Sequence, residues 1–352
     1  MPTTSAHGRS VERVVQVCGA HDDARALRLA LLDEIRRAVK FDAYSWLLTD
    51  PETEVGCSPL ADVPCLSELP SLIRLKYLTP VNRWTRLDVP VALLRKATEE
   101  QRERSLVWRE LLSRYGVNDV ASLVLRDRFG CWAFLELWRI DSGDRFTDAE
   151  ADFLTGMAGP VTGALRRCQA RTFDLATSAP ERTGPVVLVL SPEIEVRAQT
   201  PETEEYLRIL VPPDVDRQPI PSGAYNVAAQ LLAVESGVDD HPPSARVHLA
   251  DGVWLTLRAA RIGVTVPSNE RDIAVTIEST TPTERMALFV RANGLSAREA
   301  ELLRHLATGS DTRLIAERMF LSEHTVQDHL KSVFAKTAAH NRRTLLARAL
   351  GR

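Results

Sequence analysis

The sequence is short of cysteine, and this limits the metal chemistry that it can carry. Its 352 residues include five cysteines, which are scattered along the chain. They form neither a CxxC pair nor the spacing of a zinc finger. Buried or unreactive thiols are therefore the simpler interpretation, and we expect no metal site and no resident cofactor.

Long apolar runs are also missing. No stretch is long enough to cross a bilayer as a helix, and residues 1–15 lack the apolar block of a secretory signal peptide. The apolar fraction of 44% and the charged fraction of 26% are those of an ordinary globular protein. We therefore expect a cytoplasmic protein without a membrane partner.

Signatures of catalysis are absent as well. The sequence has no GxxxxGK[ST] phosphate loop, no HExxH pair and no GxSxG nucleophile turn. Asp22 and Asp23 precede a helical pattern, and they serve more simply as its cap than as the acidic pair of a phosphorylated receiver domain. The sequence thus favours a binding protein, with enzyme activity as the alternative.

Charge is distributed unevenly between the ends of the chain. The net charge is −3, yet from Ser296 onward ten Arg and Lys residues stand against six Asp and Glu residues. A basic end on an acidic body is typical of a protein whose basic end meets phosphate groups. Nucleic acid is therefore the first partner to consider.

The length predicts several domains, and breaks in composition show where they meet. Residues 171–184 contain Thr, Ser, Pro and Gly without periodicity, which favours a linker, and Asn293-Gly294 ends a short helical pattern. We predict a tail (1–15), a first sensor domain (16–170), a linker (171–184), a second sensor domain (185–281), a connecting helix (282–294) and a C-terminal domain (295–352).

The first sensor domain alternates helices and strands. Asp127–Gly130 between two strand patterns predicts a hairpin, and Thr147 with Glu150 predicts a capping box at the start of a long helix. This order resembles a GAF domain, although only three strands can be placed. The predicted elements are a helix over 23–39, a strand over 42–49, a mostly helical middle (69–78 and 91–114), strands over 120–126 and 131–139, and the long helix.

The second sensor domain has two strands, then helices, then three strands. Thr200-Pro201-Glu202 predicts a helix start, and Asp251-Gly252 predicts a hairpin turn. The order resembles a PAS domain. Strands are predicted over 186–190, 195–198, 246–249, 254–259 and 273–277, with a helix over 224–235. The expected fold class is therefore α+β and multidomain, with GAF-like and PAS-like α/β sensor domains followed by an all-α domain of four helices.

Four capped helices are predicted in that last domain, starting after Ser296, Asp311, Ser322 and Asn341. The third helix is amphipathic, with Val326, Leu330, Val333 and Thr337 facing inward. Its outward row bears hydrogen-bonding groups that suit the edges of bases in a DNA major groove. A helical bundle with a solvated charged face is the alternative. The row consists of His324, Gln327, Asp328 and Lys331.

Three separated motifs carry a family resemblance: LSARE at 295–299, IAER at 315–318 and LSEHTVQDHLK at 321–331. They resemble the LuxR-type DNA-binding domain. The resemblance implies a transcriptional regulator that binds double-stranded DNA, with RNA polymerase as a further partner and the fourth helix as a dimer contact. It also implies base contacts from Gln327, Asp328 and Lys331, with His324 on the same row, and backbone contacts from Thr312, Arg313, Ser322, Thr325 and Lys336.

Five of the six tryptophans lie in the first sensor domain. Such aromatic side chains either line a small-molecule pocket or form ordinary core. A pocket would make the protein a one-component regulator under ligand control, whereas a partner protein docking on the sensor domains is the alternative. The candidate pocket residues are Tyr44, Trp46, Trp84, Trp108, Phe134, Glu136 and Trp138.

Small residues recur on one face of the long helix after Thr147. Gly156, Gly159, Pro160 and Gly163 fall at helical spacing, and a bare face lets another helix approach closely. We expect this face to contact the same helix of a second subunit in a homodimer. A kink at Pro160 is the alternative explanation.

Overall fold

The computed structural model describes residues 3–141, 143–174, 186–203, 222–249, 253–263 and 270–351. The chain divides into two compact units. The first comprises Met1–Leu165, Glu181–Val247 and Leu255–Glu278, and the second comprises Arg166–Pro180, His248–Trp254 and Ser279–Arg352. Among the helices that the structure describes, none combines the length and the apolar character that crossing a membrane requires.

The first unit opens with two helices and a five-stranded antiparallel sheet, here called the first sheet. The strand order is β2-β1-β5-β4-β3, so the strand that comes last in sequence lies in the centre. This position explains why it is buried continuously from Cys131 to Arg139. The elements are α1 (Thr3–Ala20), α2 (Ala24–Ala38), β1 (Ala43–Thr49), β2 (Gly56–Asp62), α3 (Leu69–Leu78), β3 (Val91–Leu93), α4 (Leu94–Ala97), α5 (Leu106–Glu110), β4 (Val117–Asp127), β5 (Gly130–Ile140) and α6 (Asp148–Arg171).

Three sequence predictions for this region are wrong. The predicted tail belongs, from Thr3, to α1. Strand β2 went unnoticed because its sequence, GCSPLAD, contains glycine and proline and lacks a regular apolar alternation. The predicted helical stretch over 91–114 consists instead of strand β3 and the short helices α4 and α5. With the two added strands, the first sheet has five strands, and the short helices α4 and α5 lie between β3 and β4.

The local signals of turns and caps are confirmed. Asp127 pairs with Gly130 where β4 turns into β5, as the hairpin pattern predicts. At the start of α6, the Glu150 amide donates to Thr147 Oγ1 at 3.2 Å, and the Thr147 amide donates to Glu150 Oε2 at 2.9 Å. Asp23 caps α2 by accepting hydrogen bonds from two backbone amides. These features are local, so short stretches of sequence are enough to predict them.

The small residues of α6 meet another helix at one position. A Cβ atom on Gly156 would lie 3.4 Å from Val11 Cγ2, whereas a Cβ on Gly159 would meet nothing within 4 Å. At Gly156 the bare face is therefore in contact with α1 of the same chain, although Gly156 itself stays exposed. Pro160 lies inside the helix, which continues past it to Arg171. A homodimer through this helix stays a prediction.

A second sheet of five strands, here called the second sheet, follows. Its order is β7-β6-β10-β9-β8, which repeats the order of the first sheet. Residues 201–203 are helical, as the Thr200-Pro201-Glu202 pattern predicts, and the expected turn at Asp251-Gly252 lies outside the described residues. The elements are β6 (Val187–Leu190), β7 (Val196–Gln199), α7 (Ser222–Glu235), β8 (Ser244–His248), β9 (Trp254–Arg261) and β10 (Ile273–Ser279).

Helix α7 is buried around most of its circumference. Ten of its 14 residues are buried. A Cβ atom on Gly223 would lie 3.3 Å from Leu257 Cδ2 of β9, so this part of α7 approaches the second sheet. The helix also contacts α3 and β2 of the first sheet's domain. A helix that is buried on nearly all sides is a core helix, and α7 packs against elements of both sheets.

Two buried ion pairs reinforce this shared core. Arg246 of β8 donates to both carboxylate oxygens of Asp50 at 2.7 Å, and the Asp50 side chain is fully buried. Burial opposes ionisation of Asp50, but the hydrogen bonds from Arg246 outweigh it and hold the pKa of Asp50 below its usual value. The second pair joins Arg83 to Asp239 at 2.6 Å. Removing one partner of such a pair leaves an uncompensated buried charge, which typically costs about 3–5 kcal/mol.

The described part of the second unit contains the end of α6, five further helices from Pro282 onward and an aromatic cluster. The ring of Phe173 stacks on Trp254 at 5.3 Å, meets Phe289 edge-on at 5.4 Å and lies 5.0 Å below the guanidinium of Arg285. This cluster fixes α8, because Arg285 and Phe289 belong to that helix. The helices are α8 (Pro282–Ala292), α9 (Ala297–Ala307), α10 (Thr312–Met319), α11 (Glu323–Thr337) and α12 (Arg342–Leu350).

The last helix, expected to form a dimer contact, is used within its own chain. Leu345 and Ala349 are completely buried, and α12 contacts α8. Arg348 also donates to the Thr337 carbonyl at 2.8 Å and pairs with Asp174 at 3.2 Å. A dimer through α12 would therefore use its partly exposed positions, such as Leu346 and Ala347.

A pH-dependent contribution to stability is expected from His241, whose Nδ1 lies 2.7 Å from Asp239 Oδ1. This hydrogen bond raises the pKa of His241, and burial opposes the rise only in part. The protonated ring therefore stabilises the fold fully below its unfolded pKa of about 6.5, and the contribution is lost as the pH rises through the folded-state pKa. The difference in free energy of unfolding between wild type and His241→Gln should shrink over that rise.

Chemical denaturation at a series of pH values measures this difference. His340→Gln, which changes an exposed histidine in the second unit, is the matched control. A His241→Gln variant whose stability tracks that of wild type at every pH would contradict the assignment.

Candidate DNA interface and candidate ligand cavity

Helices α10 and α11 are joined by a tight turn between two capped helices. The Asp311 side chain accepts from the Leu314 amide at 2.8 Å, and Ser322 Oγ accepts from the Thr325 amide at 3.1 Å. Between the helices, Phe320 adopts a left-handed conformation with φ of 56°, which ends α10 and redirects the chain. This is the geometry of a helix-turn-helix, in which the second helix can enter a DNA groove.

Helix α11 has the two faces that its sequence predicts. Val326, Leu330, Val333 and Thr337 are buried. His324, Gln327, Asp328 and Lys331 are exposed on the opposite side. The hydrogen-bonding groups of this outward row are therefore available to the edges of bases.

The outward row is partly neutralised by its own contacts. Lys331 Nζ donates to Asp328 Oδ1 at 3.1 Å, and His324 Nε2 lies 3.6 Å from Asp328 Oδ2. The hydrogen bond from Lys331 lowers the pKa of Asp328, so this carboxylate stays ionised. Lys331 is 73% exposed, and solvent screens its pairing with Asp328. The lysine can therefore exchange Asp328 for a base edge at small cost.

The residues expected to contact the DNA backbone fall into different environments. Arg313 is 80% exposed, and its ion pair with Glu317 spans 3.3 Å. Thr312 Oγ1 accepts from Arg342 Nη2 at 2.7 Å. The remaining pair, Ser322 and Thr325, lies at the start of α11 with hydroxyl oxygens 2.9 Å apart. Arg342, which sequence reasoning left out, thus adds a cation beside the expected backbone contacts.

Lys336 has a structural partner that its predicted role did not include. Its Nζ donates to both carboxylate oxygens of Glu299, at 2.8 and 2.7 Å, and Ser332 Oγ donates to the same carboxylate at 2.6 Å. Burial opposes ionisation of Glu299, but these hydrogen bonds lower its pKa to about 2. Glu299 also closes the capping box with Ser296 at the start of α9. It therefore ties α9 to α11.

Comparison with known families agrees with this geometry. Residues 293–349 match the family described as bacterial regulatory proteins, luxR family. The matched segment contains α9 to α12 and is a LuxR-type DNA-binding domain, as found in transcriptional regulators. No curated protein matches the chain.

Solved structures show weaker similarities. A structure of SdiA from Escherichia coli matches with 13% identity over 97% of this chain and 96% of that chain, with a TM-score of 0.36. A complex of SdiA with octanoyl-rac-glycerol matches with 14% identity over 99% and 93%, with a TM-score of 0.28. The sensor region of a sensor histidine kinase matches with 12% identity over 67% and 84%, with a TM-score of 0.17. At TM-scores this low, the similarities carry no argument about ligands.

The first unit contains a cavity of about 220 Å³ between the first sheet and α3. One wall is formed by strands β1, β2 and β5, the opposite wall by α3, and one end by α7. Its lining is mostly apolar, which is typical of small-molecule sites. The lining residues are Ser45, Leu47, Thr49, Gly56, Pro59, Ala61, Val63, Leu66, Leu69, Leu72, Ile73, Lys76, Tyr77, Trp84, Phe134, Glu136, Trp138, Ser222 and Asn226.

Four of the seven candidate pocket residues line this cavity, namely Trp84, Phe134, Glu136 and Trp138. Tyr44 and Trp46 do not, because the register pairs Leu47 with Phe134 and Ser45 with Glu136. Paired residues in an antiparallel sheet share a face, so the neighbours of Leu47 and Ser45 in β1 face the other side.

Trp108 also lies outside the lining. It packs in a core cluster with Leu111 and Val117, and its Nε1 donates to the Val117 carbonyl at 2.8 Å. The ordinary-core interpretation thus holds for this tryptophan. Whether the cavity binds a ligand stays a prediction.

A charged pair lies on the cavity wall. Lys76 of α3 contacts Glu136 of β5, and Ser122 Oγ donates to the same Glu136 oxygen at 3.1 Å. Trp138 Nε1 lies 3.4 Å from the other oxygen. The two charges balance, so the wall carries no net charge from them.

Base recognition by Lys331 can be separated from backbone contact by Arg313. Lys331→Ala should weaken binding to a specific site by about 1–3 kcal/mol and relax the preference at one base pair. Arg313→Ala should weaken binding to all sequences alike, since phosphates carry no sequence information. Selection from a randomised duplex library measures both effects. If the two variants gave the same specificity profile, the assigned roles would be wrong.

The pairing of Lys336 with Glu299 predicts a loss of stability that a backbone contact alone would not cause. Lys336→Met should lower the free energy of unfolding of this domain by about 1–3 kcal/mol, because Glu299 loses charge-assisted hydrogen bonds. Glu299→Gln combined with Lys336→Met should cost less than the sum of the two single changes. Unchanged stability with weaker DNA binding would show that Lys336 acts only at the DNA.

Proposed function

We propose that this protein is a transcriptional regulator that binds a specific double-stranded DNA sequence through the exposed row of α11. The observation that carries the proposal is the combination of a capped helix-turn-helix with four exposed hydrogen-bonding side chains on its second helix. The base-facing residues are His324, Gln327, Asp328 and Lys331. The backbone contacts come from Thr312, Arg313, Ser322, Thr325 and Lys336, with Lys336 using whatever hydrogen-bonding capacity Glu299 leaves free.

The two sheets form the sensory part, and a small molecule in the cavity controls DNA binding. The mostly apolar lining with a few polar groups supports this role. The order of two strands, a helical region and three strands in the second sheet supports a PAS-like domain over 185–281, and the five strands of the first sheet are compatible with a GAF-like domain over 16–170.

The regulator acts as a homodimer. Two recognition helices have to lie about one DNA turn apart to read a symmetric site, and a dimer provides that arrangement. RNA polymerase is the expected further partner of such a regulator at a promoter. The cytoplasm is the compartment in which both partners, DNA and polymerase, are accessible.

Binding of the full-length protein to duplex DNA tests the central claim. Fluorescence anisotropy over about 50–200 mM salt should show affinity that falls steeply, with a slope of about −0.9 per neutralised phosphate. Lys331→Glu, which reverses one exposed charge on α11, is the control and should bind less tightly without loss of fold. Absence of binding to any duplex sequence at the lowest salt, with or without added ligands, would refute the proposal.

A further inference from the structure

Asn226 of α7 places an unsatisfied hydrogen-bond acceptor at the end of the cavity. Its side chain is 1% exposed and lines the cavity. Its Nδ2 donates to the Ser222 carbonyl at 2.8 Å. Its Oδ1 accepts no hydrogen bond from any residue in the described part of the chain. A buried acceptor without a donor is costly, so this atom requires a partner that the described residues do not supply.

The orientation of this amide is fixed. Rotating it by 180° would place Oδ1 against the Ser222 carbonyl, where two acceptors repel each other, and would abandon the hydrogen bond that Nδ2 donates there. The Oδ1 atom also lies 3.2 Å from the position that a Cβ on Gly56 would occupy, and Gly56 lines the cavity. Glycine at this position therefore keeps the space in front of Oδ1 open.

The other polar groups of the cavity restrict the charge of a ligand. Lys76 and Glu136 neutralise each other. Tyr77 Oη, which accepts from the Gly56 amide at 2.9 Å, is uncharged because burial raises the pKa of Tyr77. An ionised ligand would meet no uncompensated countercharge on this wall, so a neutral molecule fits better.

The volume restricts the size of a ligand. An apolar protein cavity of about 150 Å³ holds one benzene molecule. The cavity here, at about 220 Å³, therefore has room for a body roughly half as large again, such as a fused pair of aromatic rings or a benzene ring with a short alkyl chain.

We propose that the cavity binds a small, neutral, mostly apolar molecule whose hydroxyl or N–H group donates a hydrogen bond to Asn226 Oδ1, and that this bond fastens α7 onto the first sheet. The inference rests on the proposed sensory function and specifies its ligand class. Asn226 is the specificity-determining residue, because its Oδ1 can accept a hydrogen bond from a donor group of the ligand but cannot bind an acceptor group. It belongs to the second sensor domain, whereas most of the cavity wall belongs to the first, so the ligand bridges the two.

Matched probe pairs test the donor requirement on the full-length protein. One pair is 2-naphthol and 2-fluoronaphthalene, and the other is 4-propylphenol and 1-fluoro-4-propylbenzene. Within each pair the shape is nearly the same and only the hydroxyl donor is removed. Titration calorimetry on the wild type should show that each phenol binds about fivefold to tenfold more tightly than its fluoro analogue, the range expected from one added hydrogen bond.

Three variants locate the preference at Asn226. Asn226→Leu should abolish the preference for the phenols. Asn226→Asp should retain it, because a buried carboxyl stays protonated and can donate to the Ser222 carbonyl while its other oxygen accepts from the ligand. Thr53→Val, which removes a 2.6 Å hydrogen bond to the Ser244 carbonyl of β8 without touching the cavity, should also retain it.

Amide hydrogen exchange tests the bridging role. Exchange over residues 222–235 should slow when a phenol binds to the wild type, and it should slow less with the fluoro analogue or in Asn226→Leu. Equal binding of phenols and fluoro analogues by the wild type, binding of none of the four probes, or a preference that survives in Asn226→Leu would each overturn the proposal.

These results are independent of DNA binding. Salt-dependent DNA binding without a donor preference would leave the regulator in place and refute only the ligand class. A donor preference without DNA binding to any duplex would support the ligand class and refute the proposed role as a DNA-binding regulator.

Discussion

A helix buried on nearly all sides has to satisfy its polar side chains inside the protein, and α7 imposes this constraint on both sheets. Gln230 meets it fully, since its oxygen accepts from Arg83 at 2.8 Å and its nitrogen donates to the His241 carbonyl at 2.8 Å. Arg83 in turn neutralises Asp239. In Asn226, one turn earlier, the nitrogen has a hydrogen-bond partner, whereas the oxygen has none among the described residues. The same helix therefore joins the two sheets through one complete polar network and one incomplete one.

The DNA-binding domain uses charge in two distinct ways. On the outside of α11, the contacts among His324, Asp328 and Lys331 are exposed and weak, so they can rearrange when a base edge is offered. Inside, the Glu299 carboxylate collects hydrogen bonds from Lys336 and Ser332 and fixes α11 relative to α9. Residues on one helix thus divide between holding the fold and forming the exposed row that we propose reads the DNA groove.

Sequence patterns were sufficient where the structure depends on neighbouring residues. The hairpin at Asp127–Gly130, the caps of α6, α10 and α11, and the two faces of α11 all follow from short stretches. The alternation in β1 predicted that neighbouring residues face opposite sides of the sheet, but it did not predict which side α3 covers. Trp46 was therefore predicted to line the pocket, whereas its neighbour Leu47 lines the cavity. Asn226 could not be found this way, because its role depends on Gly56 and β2, far away in sequence. The sequence around Lys336 likewise does not indicate that its ammonium group pairs with Glu299, which lies 37 residues earlier in the chain.

In both sheets the strand that is made last lies in the middle, β5 in the first and β10 in the second. During synthesis on the ribosome, β1 and β2 have to wait for β5 before the first sheet can close, and the cavity wall that α7 supplies emerges later still. A nascent chain that has released only the first sheet and α3 therefore lacks the end of the cavity that α7 supplies. Apolar surface that is exposed during synthesis is prone to associate with other chains, and α7 removes part of it when it packs. The order of synthesis thus makes the Asn226 acceptor, to which we propose that a ligand binds, one of the later groups that the growing polypeptide acquires.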